Sequence, residues 1–359
     1  MDEDAIKQSI QQTLDNYARA YNENNKDLLY QAIDPASGPF RRLVVSRFEN
    51  DQESIFGGAF NYNLVVGKLT QRDLGFVTAQ VLFRGTSQGA EWTFRNVQNA
   101  WLLSEPTERQ IGERVKTETE HFIFYTYPWS EQVNDEIKDL MERAYTQVVE
   151  RLGKAPETKA EVTIRPIFGI GTTSSSGTLA WYMRGSNQDR DRIVVYAPQT
   201  YSYGFYNLDN GWQPKLEQTL VHEYTHLVNH RSFVPMHRMS DWMIEGIAEF
   251  VSESARTFEV AEAVRRDQII PIIDSEDGVN RQDLTTLTRL RQDVSLAYGL
   301  SYELVAYIDE NHGGLDGFWK LAEAYDKAQD LDKALREAYG ISYDEFDAGW
   351  RAWLKQKYG

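Results

Sequence analysis

The chain has no cysteine among its 359 residues. A disulfide framework, a cysteine zinc cluster and a thiol nucleophile are therefore excluded, and any metal must be held by histidine and carboxylate. Basic residues are in deficit: 38 Lys and Arg against 54 Asp and Glu give a net charge of −16. Such a balance disfavours sequence-independent binding to nucleic acid or to an anionic membrane. No apolar run approaches the roughly 20 residues that cross a bilayer, so no membrane span is expected in this chain. Internal repeats and low-complexity tracts are lacking too. The first residues, MDEDAIKQSI, are acidic where a signal peptide would be basic and then apolar. We expect a secreted or cell-envelope protein whose signal segment or lipid anchor lies outside this chain, with the cytoplasm as the alternative.

What the chain does have is apolar material for substantial cores, 41% hydrophobic and 13% aromatic residues, and a length that suits two or three domains. Ile6, Ile10, Leu14 and Tyr17 recur at helical spacing, and a second short helix is expected from Lys26 to Ile33. Four strand-like runs follow: Arg42 to Phe48, Phe60 to Leu69, Leu74 to Phe83 and Glu91 to Leu103. They are rich in β-branched and aromatic residues and are separated by Gly, Asn, Asp and Ser. Two helices and then a meander of antiparallel strands make an α+β domain. The charged stretch Glu105 to Glu120 reads as a linker. After it come a strand from His121 to Tyr127, a helix capped by Ser130 and running to about Leu152, and a strand from Ala160 to Phe168. Glycine and serine crowd Gly169 to Gly177, an apolar stretch runs from Thr178 to Met183, and Arg192 to Tyr196 is a clear strand. From Asp283 the pattern is all helix, with a stop at Gly313 and Gly314 and a capping box formed by Ser342 and Glu345. Phe346, Trp350, Trp353 and Leu354 close the chain as an amphipathic helix.

The most informative segment is HEYTH, His222 to His226, within LEQTLVHEYTHLVNH. Two histidines four apart on a helix share one face, so both imidazoles can reach a single metal ion. Leu220, Val221, Leu227 and Val228 support a helix buried on more than one side. Catalytic zinc takes three protein ligands and keeps one position open, which raises the question of a third ligand. Glu245 follows His226 after eighteen intervening residues, on a helix SDWMIEGIAEFVSES that Ser240 can cap. Trp242, Ile244, Ile247, Ala248 and Phe250 surround it in sequence. Burying that carboxylate unpaired would cost several kcal/mol, and a zinc ion bearing two histidines is the kind of partner that offsets the cost.

This combination, H-E-x-x-H and then glutamate within W-x-x-E-G-x-A-x-F, resembles the gluzincin metallopeptidases, in particular the peptidase MA-like group related to thermolysin and the zinc aminopeptidases. The resemblance covers roughly Thr117 to Gly359 and implies one zinc ion per chain with His222, His226 and Glu245 as its ligands. The metzincin pattern is a poorer match, because Asn229 and Ser232 stand where it needs glycine and histidine. Chemistry and resemblance together give Glu223 the role of general base: it accepts a proton from the attacking water and delivers it to the leaving amine. In thermolysin-like enzymes an acid four residues past the third ligand holds the first histidine, which makes Glu249 the candidate partner of His222. The related aminopeptidases carry a tyrosine that stabilises the developing oxyanion, and the resemblance places Tyr298 there, in preference to Tyr302 one turn on.

His230 lies a turn beyond His226, too far for comfortable ligation, and His121, His237 and His312 are expected to be structural. The aminopeptidase segment whose glutamate holds a free amine has no counterpart, since GTLAWYM, Gly177 to Met183, lacks that acid. Exopeptidase action at a free N-terminus is therefore unsupported, and the stretch is a candidate edge strand for pairing with an extended peptide. In order and length the first segment is similar to the cone-shaped ketosteroid isomerase and nuclear transport factor superfamily. The expected organisation is a cone-like α+β domain over 1–115, a zinc-binding catalytic domain over 116–270 and a helical subdomain over 271–359 that completes the cleft. The expected activity is zinc-dependent hydrolysis of peptide bonds in a peptide or protein substrate, as an endopeptidase. Two other readings stay open: a catalytically silent zinc-containing binding or cell-envelope assembly protein, and a zinc hydrolase of a non-peptide bond.

Overall fold

In the computed structural model the described residues are 2–54, 61–73, 75–86, 89–165, 179–185, 191–198, 212–273, 283–290 and 293–359. Helix α1 (Glu3–Asn22) forms because Ile6, Ile10, Leu14, Tyr17 and Tyr21 fall on one face, and all five are buried. The Asn25 side chain accepts from the amides of Asp27 and Leu28 and so starts α2 (Lys26–Ala32). The first expected strand is absent, for Arg42 to Phe48 lies inside α3 (Gly38–Ser54). Phe40, Val44 and Phe48 are buried four residues apart, so a helical period overrides the strand preference of the adjacent valines.

Four strands then pair in sequence order, each antiparallel to the next: β1 (Leu64–Asp73), β2 (Phe76–Phe83), β3 (Gly89–Val97) and β4 (Ala100–Ser104). Phe60, where the first of these was expected to begin, lies outside the described residues. The run from Glu91 to Leu103 is two strands, not one. Gln98 and Asn99 take φ of 51° and 71°, and Val97 pairs with Ala100 across them, as a two-residue hairpin turn requires. Polar contacts fix α1 to this sheet. Gln11 donates to the Leu64 carbonyl at 2.9 Å and accepts from the Val66 amide at 3.0 Å, and the Thr13 hydroxyl donates to the Trp101 carbonyl at 2.7 Å. One core, including Tyr17, Tyr21, Phe48, Trp92 and Phe94, joins the three helices to the sheet.

The charged stretch after β4 is more than a linker. Thr107 and Gln110 form a reciprocal capping box on the single turn α4 (Glu108–Ile111), and β5 (Val115–Glu118) pairs antiparallel with β6 (Phe122–Thr126). Exposed charges on β5 gave no apolar alternation to read, yet its backbone completes a sheet edge. Ser130 is buried, its hydroxyl donating to the Tyr127 carbonyl at 3.0 Å, just before α5 (Glu131–Leu152). With β7 (Ala160–Arg165), β8 (Ala180–Met183) and β9 (Arg192–Tyr196), the second sheet has the order β5-β6-β7-β9-β8, and β7 runs parallel to β9. The stretch β8 is therefore an edge strand. Gly169 to Gly177 lie outside the described residues.

The rest is helical: α6 (Trp212–Ser232), α7 (Asp241–Val251), α8 (Thr257–Arg265), α9 (Leu284–Leu290), α10 (Val294–Asn311), α11 (Gly314–Ala328), α12 (Leu331–Tyr339) and α13 (Tyr343–Tyr358). The stop between α10 and α11 falls at Gly313 and Gly314, whose φ of 94° and 75° suit glycine. Ser342 and Glu345 form the expected capping box of α13, and Phe346, Trp350 and Leu354 are buried, while the Trp353 indole donates to Glu310. The chain thus folds as a mixture of helix and sheet with an all-helical C-terminal part.

Two compact units alternate along the sequence. One comprises Met1–Asp139, Glu161–Trp181 and Arg192–Leu216, the other Leu140–Ala160, Tyr182–Asp191 and Glu217–Gly359. These borders differ from the consecutive segments 1–115, 116–270 and 271–359. Among the described residues no helix is long and apolar enough to cross a membrane.

Candidate metal centre

Helix α6 is buried on all sides from Tyr224 to Asn229, and Leu216, Leu220 and Val221 are buried before that stretch. Helices of that kind sit inside a core, and this one brings its histidines inside with it. His226 is buried and His222 nearly so. Helix α7 buries Trp242, Met243, Ile247, Ala248, Phe250 and Val251 and turns Glu245 and Glu249, four residues apart, toward α6. Ser240 holds the N-cap position with extended backbone but does not cap, since its hydroxyl lies 3.0 Å from the Thr285 hydroxyl.

Three donor atoms converge. His222 Nε2 and His226 Nε2 are 3.1 Å apart, and Glu245 Oε2 lies 3.3 Å from the first and 3.6 Å from the second. Tetrahedral zinc with ligand distances of about 2.0–2.1 Å separates its donors by roughly 3.4 Å, so the triangle has the size that zinc requires. The donor chemistry fits as well, because two neutral imidazole nitrogens aimed at one point repel each other unless a cation or a proton lies between them. His222, His226 and Glu245 are also the described residues that could together hold a metal ion.

Electrostatics point the same way. Burial lowers the His222 pKa, but hydrogen bonds from Glu245 and Glu249 and the charge of Glu223 outweigh it and push the imidazole up to about 10. Burial raises the Glu245 pKa, and the charges and hydrogen bonds of His226 and His222 overcome it, holding the carboxyl well below its ordinary range. The carboxylates of the cluster thus favour a positive charge at its centre, whether a proton or a metal ion.

Glu249, the expected partner of His222, lies beside it. Its Oε1 is 3.2 Å from His222 Nδ1, and it is itself buried. Burial opposes its ionisation, yet His222 and Arg256 keep its pKa below the ordinary value. A carboxylate on Nδ1 leaves Nε2 as the nitrogen that could face a metal ion. Behind it stands a residue the sequence did not flag: Arg256 Nε lies 3.5 Å from Glu249 Oε2. Arg256 follows α7 by a non-helical stretch, so no periodicity could have announced it.

Glu223 neighbours His222, and its Oε2 accepts a hydrogen bond of 2.7 Å from the Tyr182 backbone amide. That contact was also missed, for a main-chain donor has no residue signature. Tyr298 is half-buried on α10, with its ring 5.6 Å from the Arg256 guanidinium. It is linked to the centre through Arg256, Glu249 and His222. Tyr302 packs against Phe250.

The remaining histidines serve elsewhere. His121 lies beside Glu120, His237 is exposed, and His312 stacks on Tyr339 at 4.4 Å. His230 is half-buried, with its Nδ1 enclosed and without a hydrogen-bond partner among the described residues. The chain matches no family model, and no curated protein matches it either.

Proposed function

We propose that this chain is a zinc-dependent peptidase of the gluzincin kind that hydrolyses internal peptide bonds of a peptide or protein substrate. The observation that carries the reading is the triangle of His222 Nε2, His226 Nε2 and Glu245 Oε2 with a second carboxylate, Glu249, on His222 Nδ1. A general base beside it is what separates a hydrolytic site from a structural one, and Glu223 supplies it. Zinc, when bound, supplies Lewis acidity toward water and toward a carbonyl oxygen.

The chain's own residues do the rest. Glu249 holds the His222 proton on Nδ1 and so fixes the tautomer. Glu223 takes a proton from the attacking water and returns it to the leaving amine, and the Tyr182 amide keeps one of its oxygens in place meanwhile. The strand β8 offers backbone groups with which an extended peptide can pair, a sequence-tolerant way of holding a substrate. Tyr298 is the proposed donor to the oxyanion. The helices and meander of the first hundred residues support a cone-like α+β class for that part. A secreted or cell-envelope location belongs to the same proposal.

The test measures zinc content and cleavage of casein or a peptide library. Glu223→Gln is expected to keep stoichiometric zinc and lose cleavage by 100-fold or more, roughly the scale of general-base catalysis. His222→Ala is expected to lose both. Stoichiometric zinc without cleavage of any peptide or unfolded protein would favour the silent binding protein, and a wild type that takes no zinc would sink the assignment.

A further inference from the structure

The residues just beyond the base carry a charge pattern that the hydrolytic reading leaves unused. Two residues after Tyr182 stands Arg184, exposed and without an ion pair among the described residues. The backbone there is fixed: the Gly185 amide donates to Asp191 Oδ1 at 2.7 Å, and Asp191 Oδ2 accepts from Arg231 Nε at 2.8 Å. Arg231 in turn donates to the Thr158 carbonyl at 3.1 Å. This chain of bonds seats the end of β8 beside the C-terminal turns of α6, where Arg231 and its neighbour His230 lie.

Asp191 and Arg231 neutralise each other, which leaves Arg184 as a cation without an ion pair among the described residues, in a chain of net charge −16. His230 sits on the same stripe of α6 as Glu223, seven residues on. Its Nδ1 is enclosed without a hydrogen-bond partner among the described residues, so a proton there would be a buried donor unmet, which favours the tautomer protonated on Nε2. Burial, reinforced by Arg184, His237 and Arg231 against the opposing charge of Asp191, holds His230 below its ordinary pKa and hence neutral at pH 7. An exposed guanidinium whose charge reaches a neutral N–H donor suits a carboxylate and disfavours a lysine or arginine side chain.

We infer that Arg184 and His230 form a subsite that receives a carboxylate of the substrate, two to three residues from the scissile bond. The distance follows from the helix. His230 is about 6 Å along α6 from His226 and about 10 Å from Glu223, while an extended peptide advances about 3.3 Å per residue. The inference rests on the peptidase reading and narrows it to substrates with an acidic side chain, or a chain-terminal carboxylate, at that place.

The test uses the full chain. Cleavage sites are first mapped with the zinc-loaded wild type, and blocked fluorescent peptides spanning one site are then titrated against Glu223→Gln, which binds without consuming them. Each position up to three residues on either side of the bond carries Glu, Gln or Lys in turn, and a further pair differs only in a C-terminal acid or amide. At one position Glu is expected to bind about 3- to 10-fold more tightly than Gln, and Lys more weakly, with the difference shrinking in high salt. Combined with Glu223→Gln, Arg184→Gln should remove the preference and Arg184→Glu should turn it toward Lys. His230→Ala should reduce it, and kcat/KM of the Arg184 variants carrying Glu223 should follow the same order. A preference held by the terminal acid marks a chain-end carboxylate as the occupant, one held by Glu a side chain, and either supports the subsite. Cleavage with equal binding of the three peptides, or a preference that survives Arg184→Glu, overturns the inference alone. No cleavage of any peptide by the zinc-loaded wild type overturns it together with the peptidase reading.

Discussion

At the scale of single residues, the candidate centre depends on groups outside its triangle of donor atoms. Glu249 is buried and bonded to His222 Nδ1, so it sets both the orientation and the basicity of a ligand. Glu249→Gln is expected to weaken zinc binding about 10- to 100-fold in a chelator competition, with cleavage recovered in part when zinc is raised to saturation. An affinity unchanged by the substitution would reduce Glu249 to a bystander. A different carboxyl shows the sign of burial plainly. Glu105 is half-buried, and burial together with the charge of Asp34 raises its pKa above the ordinary 4.5. A group so raised contributes stability below pH 4.5 and loses it as pH climbs through the raised value, leaving a poorly solvated charge at neutrality. Glu105→Gln should therefore raise the Tm at pH 7 by about a degree or two, with the gain fading below pH 4.5, as scanning calorimetry at both pH values would record. The candidate ligands were legible in sequence because His222 and His226 stand four apart on one helix and Glu245 sits among apolar neighbours on the next. The Tyr182 amide and Arg256 were not, since one is main chain and the other arrives from outside the helix register.

At the scale of elements, the centre is two helices held at one spacing. Helix α7 packs closely on α10, and Gly246, next to Glu245, makes the approach possible. A methyl group on Gly246 would stand 2.6 Å from the Ser301 carbonyl oxygen and 3.1 Å from the Val305 side chain. Backbone cannot yield as a flexible side chain can, so α7 must move. Gly246→Ala is expected to cost about 1–3 kcal/mol in denaturant unfolding and to weaken zinc binding as well, because Glu245 moves with its helix. Loss of stability with zinc affinity intact would separate the packing from the site. The same scale explains the misread element. Arg42 to Phe48 looked like a strand because residues were weighed by type, while the buried positions Phe40, Val44 and Phe48 recur with the helical period. The turn at Gln98 and Asn99 escaped notice for a related reason: its positive φ values fall on a glutamine and an asparagine, without the glycine that usually advertises a hairpin. Where local preference and burial pattern agreed, as in α1, α6 and α13, the expected element stood.

At the scale of the whole molecule, a metal that binds only the folded chain adds stability by mass action, about 4 kcal/mol when free zinc exceeds its dissociation constant a thousandfold. Where that stabilisation is felt depends on which segments share the ligands' core. His222, His226 and Glu245 all belong to the unit containing Glu217–Gly359, and α7, which carries Glu245, packs chiefly on α10. The first hundred residues instead bury their own cluster around Tyr17, Phe48, Trp92 and Phe94. Local opening free energies vary within one chain, so a ligand protects most strongly the segments that must open for it to leave. Zinc is therefore expected to slow amide hydrogen exchange in α6, α7 and α10 by tenfold or more and to leave α1 and β2 nearly unchanged, with removal by a chelator restoring the faster rates. Uniform protection of all five elements would mean that the chain opens as one cooperative body. Protection absent from α10 would mean instead that its packing on α7 does not couple it to the metal.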